Sequence, residues 1–333
     1  MLVWAVLVSA PVLSGAQAVP AGRGVSSLNF AAPQAAPSTV LGAVCVEGKL
    51  SYDRHEGCSI APGELVVTNS KGGRIGSMKV RVTQRTVLAA RDSRTWMHRV
   101  TLRPTFADGA ARSAFVKVTM GCGSGAKACR VDKAPAARTL TVGQDAVFEF
   151  TLSSPGSETL THKEQPFIAL TPSGGPPTTG TLPQLGTVRC DSVKGITTAK
   201  GGCVHPAAVP VFSLARTDPL VREAAEHVLE AQGQLAGHPG RQGDGKPLHR
   251  TMDKSVIAAN RGAACPKSLE RPAGQSCDEY PFASTKEGGA SGIYSRRMIN
   301  ADHNSTAGGS NYLLRAYKNH RIIDGDAFWV AVS

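Results

Sequence analysis

The residues best suited to catalysis lie near the C-terminus of this 333-residue chain. Asp278 and Glu279 are adjacent within the polar run 276–285, and His303 and Asn304 follow about 25 residues later. Carboxylate and amide oxygens are the ligands that hard cations such as Mg²⁺ or Mn²⁺ prefer. A cation held there can polarise a phosphodiester while a nearby base activates water. The spacing also allows a simpler interpretation, in which the two acids form a surface pair and Asn304 caps a helix.

Three elements must bring these side chains together. On a strand within residues 276–285, neighbouring side chains point to opposite faces, so only one of the two acids can face a given surface. The glycine pair at 288–289 and the run 293–298 predict a hairpin return, and residues 300–319 predict a loop entering a helix. A turn and a final strand are predicted in residues 321–330. The unit is therefore β, β, α, in which an acid at a strand end can meet an amide at the helix start.

A second helix is predicted upstream, over residues 219–232. Thr217 or Asp218 can cap it, and a proline suits its first turn. His227 shares a face with several apolar residues of this helix. We expect His227 to lie on the helix surface or at the edge of the core, without a ligand.

A set of short motifs runs through the C-terminal third. They are Cys277-Asp278-Glu279-Tyr280-Pro281-Phe282-Ala283, Glu287-Gly288-Gly289, His303-Asn304, Tyr312-Leu313, Asp324-Gly325-Asp326 and Phe328-Trp329-Val330, with Lys246-Pro247-Leu248-His249-Arg250, Asn260-Arg261 and Cys265-Pro266 upstream. In this order they resemble the NucA/NucB-type secreted bacterial deoxyribonucleases. The resemblance covers about residues 210–333, and residues 41–204 carry no such resemblance.

The resemblance implies a ββα-metal type nuclease that cleaves DNA endonucleolytically, without sequence specificity and with a divalent metal. Asp278 would be the general base. Glu279 would be a second catalytic or metal-site residue. Asn304 would lie by the metal at the start of the helix, as a ligand or as the residue that orients one.

Three further residues are candidates for roles in the site. Family members have a Gln-Gly soon after the asparagine, whereas this chain has alanine and glycine at 307–309. The residue that supplies a further metal ligand is therefore open, and Asn311 is a candidate for it. His303 is either an alternative base or an exposed loop histidine. Arg315, later on the predicted helix, is a candidate to bind phosphate because of its charge.

Residues 41–204 predict a β-rich, sandwich-like domain. Short runs that alternate apolar and polar residues recur between turn-forming residues, which predicts one-sided strands. Six such runs occupy residues 64–68, 78–83, 98–103, 114–120, 138–142 and 146–152. The predicted fold class is α+β, with this domain followed by a ββα-metal type nuclease domain in residues 205–333.

The formal net charge of +12 is unevenly distributed. Residues 205–333 contain 15 Lys and Arg against 13 Asp and Glu, so residues 1–204 carry a net charge of +10. A positive excess favours polyanionic partners, here DNA or a cell-envelope polyanion. In residues 79–82 and 99–103 the basic side chains share the face opposite the core. That face suits either a polyanion or ordinary solvation.

The N-terminus predicts a secreted, extracellular protein. Residues 1–18 have the pattern of a signal peptide, with about a dozen apolar residues and an A-x-A triplet, but without a basic residue before Arg23. Residues 19–40 are rich in Ala, Pro and Ser and predict a flexible leader. No later apolar run is long enough to span a membrane.

The eight cysteines predict disulfides. They fall in four local couples, Cys45/Cys58, Cys122/Cys129, Cys190/Cys203 and Cys265/Cys277. Sequential pairing is expected because each couple brackets a short, turn-rich segment. A zinc site is the alternative, but no C-x2-C is present and the spacings fit no finger or ribbon.

The sequence therefore favours an exported, metal-dependent deoxyribonuclease that uses Mg²⁺ or Mn²⁺. The alternative is a non-catalytic envelope or DNA-binding protein with a degenerate nuclease domain, against which the intact Asp278, Glu279 and Asn304 argue. An RNA substrate stays open. The front domain can hold DNA, anchor the protein to the envelope, or keep the nuclease inactive until processing. An acyl-transfer hydrolase is disfavoured because the chain has no G-x-S-x-G motif.

Overall fold

The computed structural model describes residues 24–35, 45–196 and 200–333. Within these residues the chain is mostly β, with few helices. No helix in these three ranges is long and apolar enough to cross a membrane. The signal peptide predicted for residues 1–18 lies outside the described residues.

Residues before 205 form strands and no α-helix in their described part. The strands are β1 (Val25–Phe30), β2 (Gln34–Ala35), β3 (Lys49–Tyr52), β4 (Glu56–Thr68), β5 (Arg74–Leu88), β6 (Thr95–Ala107), β7 (Ala114–Gly121), β8 (Arg130–Lys133), β9 (Arg138–Leu140), β10 (Ala146–Ser153), β11 (Leu160–His162), β12 (Gln165–Pro172), β13 (Thr178–Thr181), β14 (Val188–Asp191) and β15 (Gly202–Val204). Five of the six alternating runs of the sequence fall wholly on strands, and the run 138–142 does so up to Leu140, where β9 ends.

Two sheets enclose one hydrophobic core. The larger sheet has the order β2-β3-β4-β5-β6-β10-β8, with β1 also paired to β4, and the smaller has the order β13-β12-β7-β9. Phe148 and Phe150 of the larger sheet and Val116 and Ile168 of the smaller sheet are buried in the same cluster. The alternation of apolar and polar residues produces this arrangement because it gives each strand one apolar face.

Part of the predicted leader is ordered structure. Residues 24–35 include β1, which pairs antiparallel with β4 from Val25 opposite Thr68 to Phe30 opposite Gly63. Leu28 and Phe30 pack against the core. The prediction of a flexible leader over residues 19–40 is therefore wrong for this part, because the short alternation of β1 is hidden within an Ala/Pro/Ser-rich composition.

The basic face of the larger sheet is charge-balanced. Arg81 lies opposite Arg103, and Arg85 lies opposite Arg99, across β5 and β6. Each of these four half-exposed arginines has a carboxylate partner, and the pairs are Arg81–Glu47, Arg85–Glu56, Arg99–Glu149 and Arg103–Asp145. The carboxylates offset the repulsion between facing like charges. This face gives no support to an envelope polyanion as a partner.

The remaining residues form a second unit with its own hydrophobic cluster. Its elements are β16 (Val211–Leu214), α1 (Arg222–Gln234), β17 (Leu248–His249), α2 (Lys254–Ala264), β18 (Gln275–Tyr280), β19 (Ser295–Asn300), α3 (Ala301–Gly308), α4 (Leu313–Asn319) and β20 (Ala327–Val332). β20 lies between β16 and β17, and β18 pairs antiparallel with β19. The boundary at residue 205 stays a prediction, although the two clusters lie on either side of it.

The prediction of the hairpin is confirmed, whereas the helix after it begins earlier than predicted. The predicted hairpin return is confirmed, and its strand, β19, lies two residues later than the predicted run, from Ser295 to Asn300. The predicted loop at residue 300 is instead the start of α3, because the Asn300 side chain accepts hydrogen bonds from the Asp302 and His303 backbone N–H groups and caps the helix. The connection before β19 packs closely on α2, where a Cβ at Gly289 would lie 2.6 Å from the Asn260 carbonyl oxygen.

The four predicted disulfides are confirmed. They are Cys45–Cys58, Cys122–Cys129, Cys190–Cys203 and Cys265–Cys277. Each closes a loop of between 7 and 13 residues. A disulfide that closes a loop of this size lowers the entropy of the unfolded chain and so adds roughly 2–3 kcal/mol to the free energy of unfolding.

A buried ionic network joins the two units. Asp326, just before β20, accepts hydrogen bonds from Arg54 Nη2 at 2.5 Å and from Arg189 Nη1 at 2.6 Å. Arg321 is completely buried and pairs with Asp191 of β14. The segment between α4 and β20 is thereby fixed to the β-rich unit.

Candidate active site

A cavity of about 850 Å³ lies beside β18. Asp278, Glu279 and Asn304 all line it. Of the residues proposed from the sequence, these three are the ones that the structure brings together. None of the residues lining it belongs to the described part of the β-rich unit.

Asp278 is a buried carboxylate with one fixed oxygen. The whole residue is 9% exposed, and its Oδ2 lies 2.7 Å from Nδ1 of His227 on α1. Within the described residues, Oδ1 has no hydrogen-bond partner. The interpretation of Asp278 as half of a surface pair is therefore wrong, because the side chain is held between β18 and α1.

His227 is the site residue that the sequence analysis missed. It is 1% exposed, and its second ring nitrogen, Nε2, lies 2.9 Å from Oγ of Ser295 on β19. The expectation that it lies on the helix surface or core edge is wrong. Its place on the apolar face of α1 was visible in the sequence, but its partner is 51 residues away.

Glu279 lies on the opposite face of β18 but reaches the same cavity. Burial, together with the negative charge of Asp278, raises the pKa of Glu279 to about 7. The positive charge of Arg261 acts in the other direction. Glu279 is therefore partly protonated near neutral pH unless a cation binds beside it.

Asn304 is held by its amide nitrogen. Nδ2 donates to Oγ of Ser276 and to the carbonyl oxygen of Cys277, both at 3.0 Å. The described residues provide no hydrogen-bond partner for its Oδ1. Asn304 does not cap α3, since Asn300 does so, and its oxygen stays available to a ligand.

Four basic residues that the sequence analysis did not assign also line the cavity, namely Arg250, Lys254, Arg261 and Arg271. Lys254 and Arg261 are exposed on α2. Arg250 is 8% exposed, its guanidinium carbon lies 4.1 Å from the centre of the Tyr317 ring, and its Nε has no partner within the described residues. Arg250 and Arg261 belong to motifs that carry the family resemblance, but nothing in the sequence shows that they lie near Asp278.

The other three candidates lie elsewhere. His303 Nδ1 lies 3.6 Å from a carboxylate oxygen of Glu223 on α1, and its side chain does not line the cavity. Asn311 and Arg315 are exposed and are not among the lining residues. The structure therefore does not bring them to Asp278.

The Cys265–Cys277 disulfide ties α2 to β18. Glu279 Oε2 lies 3.5 Å from Sγ of Cys265. Because Cys277 directly precedes Asp278, the bridge fixes the strand that carries both acids against the helix that carries Arg261.

Two carboxylates, a free amide oxygen and a cationic rim make this cavity suited to a phosphodiester substrate. Residues 241–331 match the family model for deoxyribonuclease NucA/NucB. The chain thus carries a C-terminal domain of the NucA/NucB deoxyribonuclease type, and the resemblance drawn from the sequence is confirmed. The match supports a nuclease, and it begins after α1.

No curated protein matches the chain. One partly similar solved structure is the cupredoxin domain of amoB from Nitrosocaldus yellowstonii, at 11% identity and a TM-score of 0.18. The match covers 27% of this chain and 56% of that chain, and a TM-score this low carries no argument about fold or function.

Proposed function

We propose that the protein is a secreted, divalent-metal-dependent endonuclease that hydrolyses DNA without sequence preference. The observation that carries the proposal is the buried Asp278 in a cationic cavity with Glu279 and Asn304, inside a domain of the NucA/NucB type. Four disulfides suit an oxidising, extracellular environment.

In this mechanism Asp278 is the general base. Its Oδ2 is occupied by His227, so Oδ1 is the atom that accepts a proton from the attacking water. Partial burial keeps competing solvent away from this oxygen. The carboxylate is fixed before substrate arrives, which lowers the entropic cost of reaching the reactive geometry.

Glu279 and Asn304 Oδ1 would hold the cation. No group of three or more His, Cys, Asp or Glu that could form a closed metal cage occurs in the described ranges. One carboxylate and one amide oxygen suit Mg²⁺, which keeps several waters and shares its coordination with substrate phosphate. When bound, such a cation neutralises charge on the phosphate and on the leaving oxygen. In this proposal β18, β19 and α3 would be the strand, strand and helix of a ββα-metal site.

The basic rim would bind the DNA backbone. Lys254 and Arg261 are exposed on one helix and can reach phosphates that enter the cavity. Arg250 is a buried cation without a carboxylate partner within hydrogen-bonding distance in the described chain, so an entering phosphate offsets its charge. Contacts to phosphate carry no sequence information, which suits a non-specific enzyme.

The test is plasmid nicking by the full, disulfide-bonded chain with Mg²⁺ or Mn²⁺, and with EDTA. We expect cleavage that EDTA abolishes, and Asp278→Asn should lose activity by several orders of magnitude while folding normally. Asp302→Asn, an equivalent change at an exposed acid outside the cavity, is the matched control. A parallel assay on RNA determines the substrate.

No cleavage by a folded sample with either cation would support the alternative, a non-catalytic protein with a degenerate nuclease domain. Full activity in Asp278→Asn would refute the role of the base. Activity that persists in EDTA would refute the dependence on metal.

A further inference from the structure

We propose that His227 is a positioning residue for Asp278, supplied by a helix upstream of the residues that match the nuclease family. This inference rests on the proposed function, because it gives His227 a role in orienting the base. The match covers residues 241–331, whereas His227 lies on α1. The catalytic unit therefore begins before the matched segment.

The hydrogen-bond geometry defines the role. Asp278 Oδ2 accepts a hydrogen bond from His227 Nδ1 at 2.7 Å, a distance typical of a strong bond to an ionised oxygen. Both residues are buried, so water does not compete well for this bond. Rotation of the carboxylate would break the bond, so the bond fixes the position of the other oxygen, Oδ1, on a residue that lines the cavity.

Ser295 sets the protonation pattern of the ring. Nδ1 must carry a proton to donate to the ionised Asp278, so in the neutral ring Nε2 is an acceptor. The Ser295 hydroxyl lies 2.9 Å from Nε2 and can donate to it. The chain Ser295, His227, Asp278 thus links β19, α1 and β18 in one defined orientation, as second partners commonly do for histidines at active sites.

His227 does not line the cavity. It is absent from the lining residues, whereas its helix neighbours Ala224 and Val228 are present. A simple packing role would also explain its burial, so the test must separate orientation from stability.

The experiment uses the full chain and measures kcat and KM for DNA cleavage, with Mn²⁺ binding measured separately by calorimetry. His227→Ala should lower kcat by about 10- to 100-fold, the usual cost of removing an orienting partner, with KM and Mn²⁺ affinity changed little. His227→Asn keeps an N–H donor near the position of Nδ1 and should recover most of the lost kcat. In an Asp278→Asn background, His227→Ala should lower the residual rate no further.

The outcomes distinguish the two proposals. Wild-type kcat in His227→Ala, or equal losses in the Ala and Asn variants with native circular dichroism, would overturn the positioning role alone. The positioning role would also be overturned if His227→Ala lowered kcat by the same factor in the Asp278→Asn background as in the wild type. An inactive wild-type protein would overturn the proposed function itself. If His227→Ala does not fold, Ser295→Ala replaces it, and an unchanged kcat in a folded Ser295→Ala protein refutes the hydrogen-bonded chain.

Discussion

Glu279→Gln should stabilise the metal-free protein at pH 8 but not at pH 4.5. Burial and the charge of Asp278 raise the pKa of Glu279 from 4.5 to about 7, so the folded state holds its proton over a range in which the unfolded chain has lost it. The folded state then binds more protons than the unfolded state, and stability falls as pH rises from 4.5 to 7. The penalty levels off once the pH has risen through the folded-state pKa, at about pH 8.

The size of the effect follows from the same shift. One pKa unit corresponds to about 1.4 kcal/mol, so a shift from 4.5 to about 7 makes the ionised Glu279 cost roughly 3–4 kcal/mol at pH 8. Glutamine has nearly the shape of protonated glutamate and carries no charge at either pH. The variant should therefore gain up to this amount at pH 8 and almost nothing at pH 4.5.

The assay is urea unfolding in EDTA at both pH values, with disulfides intact. Glu270→Gln, at an exposed glutamate, is the matched control and should show no pH-dependent gain. The same Glu279→Gln protein should lose metal-dependent cleavage, because the amide no longer supplies a negative charge to the cation. Equal stability changes at the two pH values would refute the conclusion that burial and the charge of Asp278 raise the pKa of Glu279.

Two further perturbations probe the supports of the site. Asp326→Asn leaves the buried Arg54 and Arg189 without their shared anion and should destabilise the protein by about 3–5 kcal/mol in thermal unfolding. Burial acts to raise the pKa of Asp326, but the hydrogen bond from Arg189 and the charge of Arg54 outweigh it and lower the pKa. This contribution should therefore be complete at neutral pH and be lost only as the pH falls below about 4 and through the lowered pKa of Asp326. A pH-independent loss would contradict the pairing. Replacing Cys265 and Cys277 together by serine should cost about 2–4 kcal/mol and lower cleavage, and unchanged activity would show that the bridge does not position the acids.

Local patterns predicted the strands, the hairpin and the disulfides because each depends on residues close in sequence. The glycine pair at 288–289 and the run after it predicted the β18–β19 hairpin, and the short turn-rich segments predicted the cysteine pairs. Two acids and one amide of the site were also identifiable, since they lie within compact motifs. The predicted leader failed at β1, because its pairing partner β4 lies more than 30 residues away.

Long-range contacts account for the rest. His227 occupies a position on α1 that an apolar residue could also occupy, and only the folded chain shows Asp278 beside it. Arg250 reaches the cavity because it lies over Tyr317, far along the chain. His303 is the opposite case, since it adjoins Asn304 in sequence but lies 3.6 Å from Glu223 on α1 in the structure.

The β-rich unit is better explained as a support than as a removable cover. Its described residues do not line the cavity, so they do not occlude it. Arg54 and Arg189 instead hold Asp326, whose backbone carbonyl accepts a hydrogen bond from the Arg250 backbone N–H. The Arg250 side chain also donates to the carbonyl oxygen of Ile322 in the same segment. Because Arg250 lines the cavity, loss of the β-rich unit would loosen the basic rim of the site rather than open it.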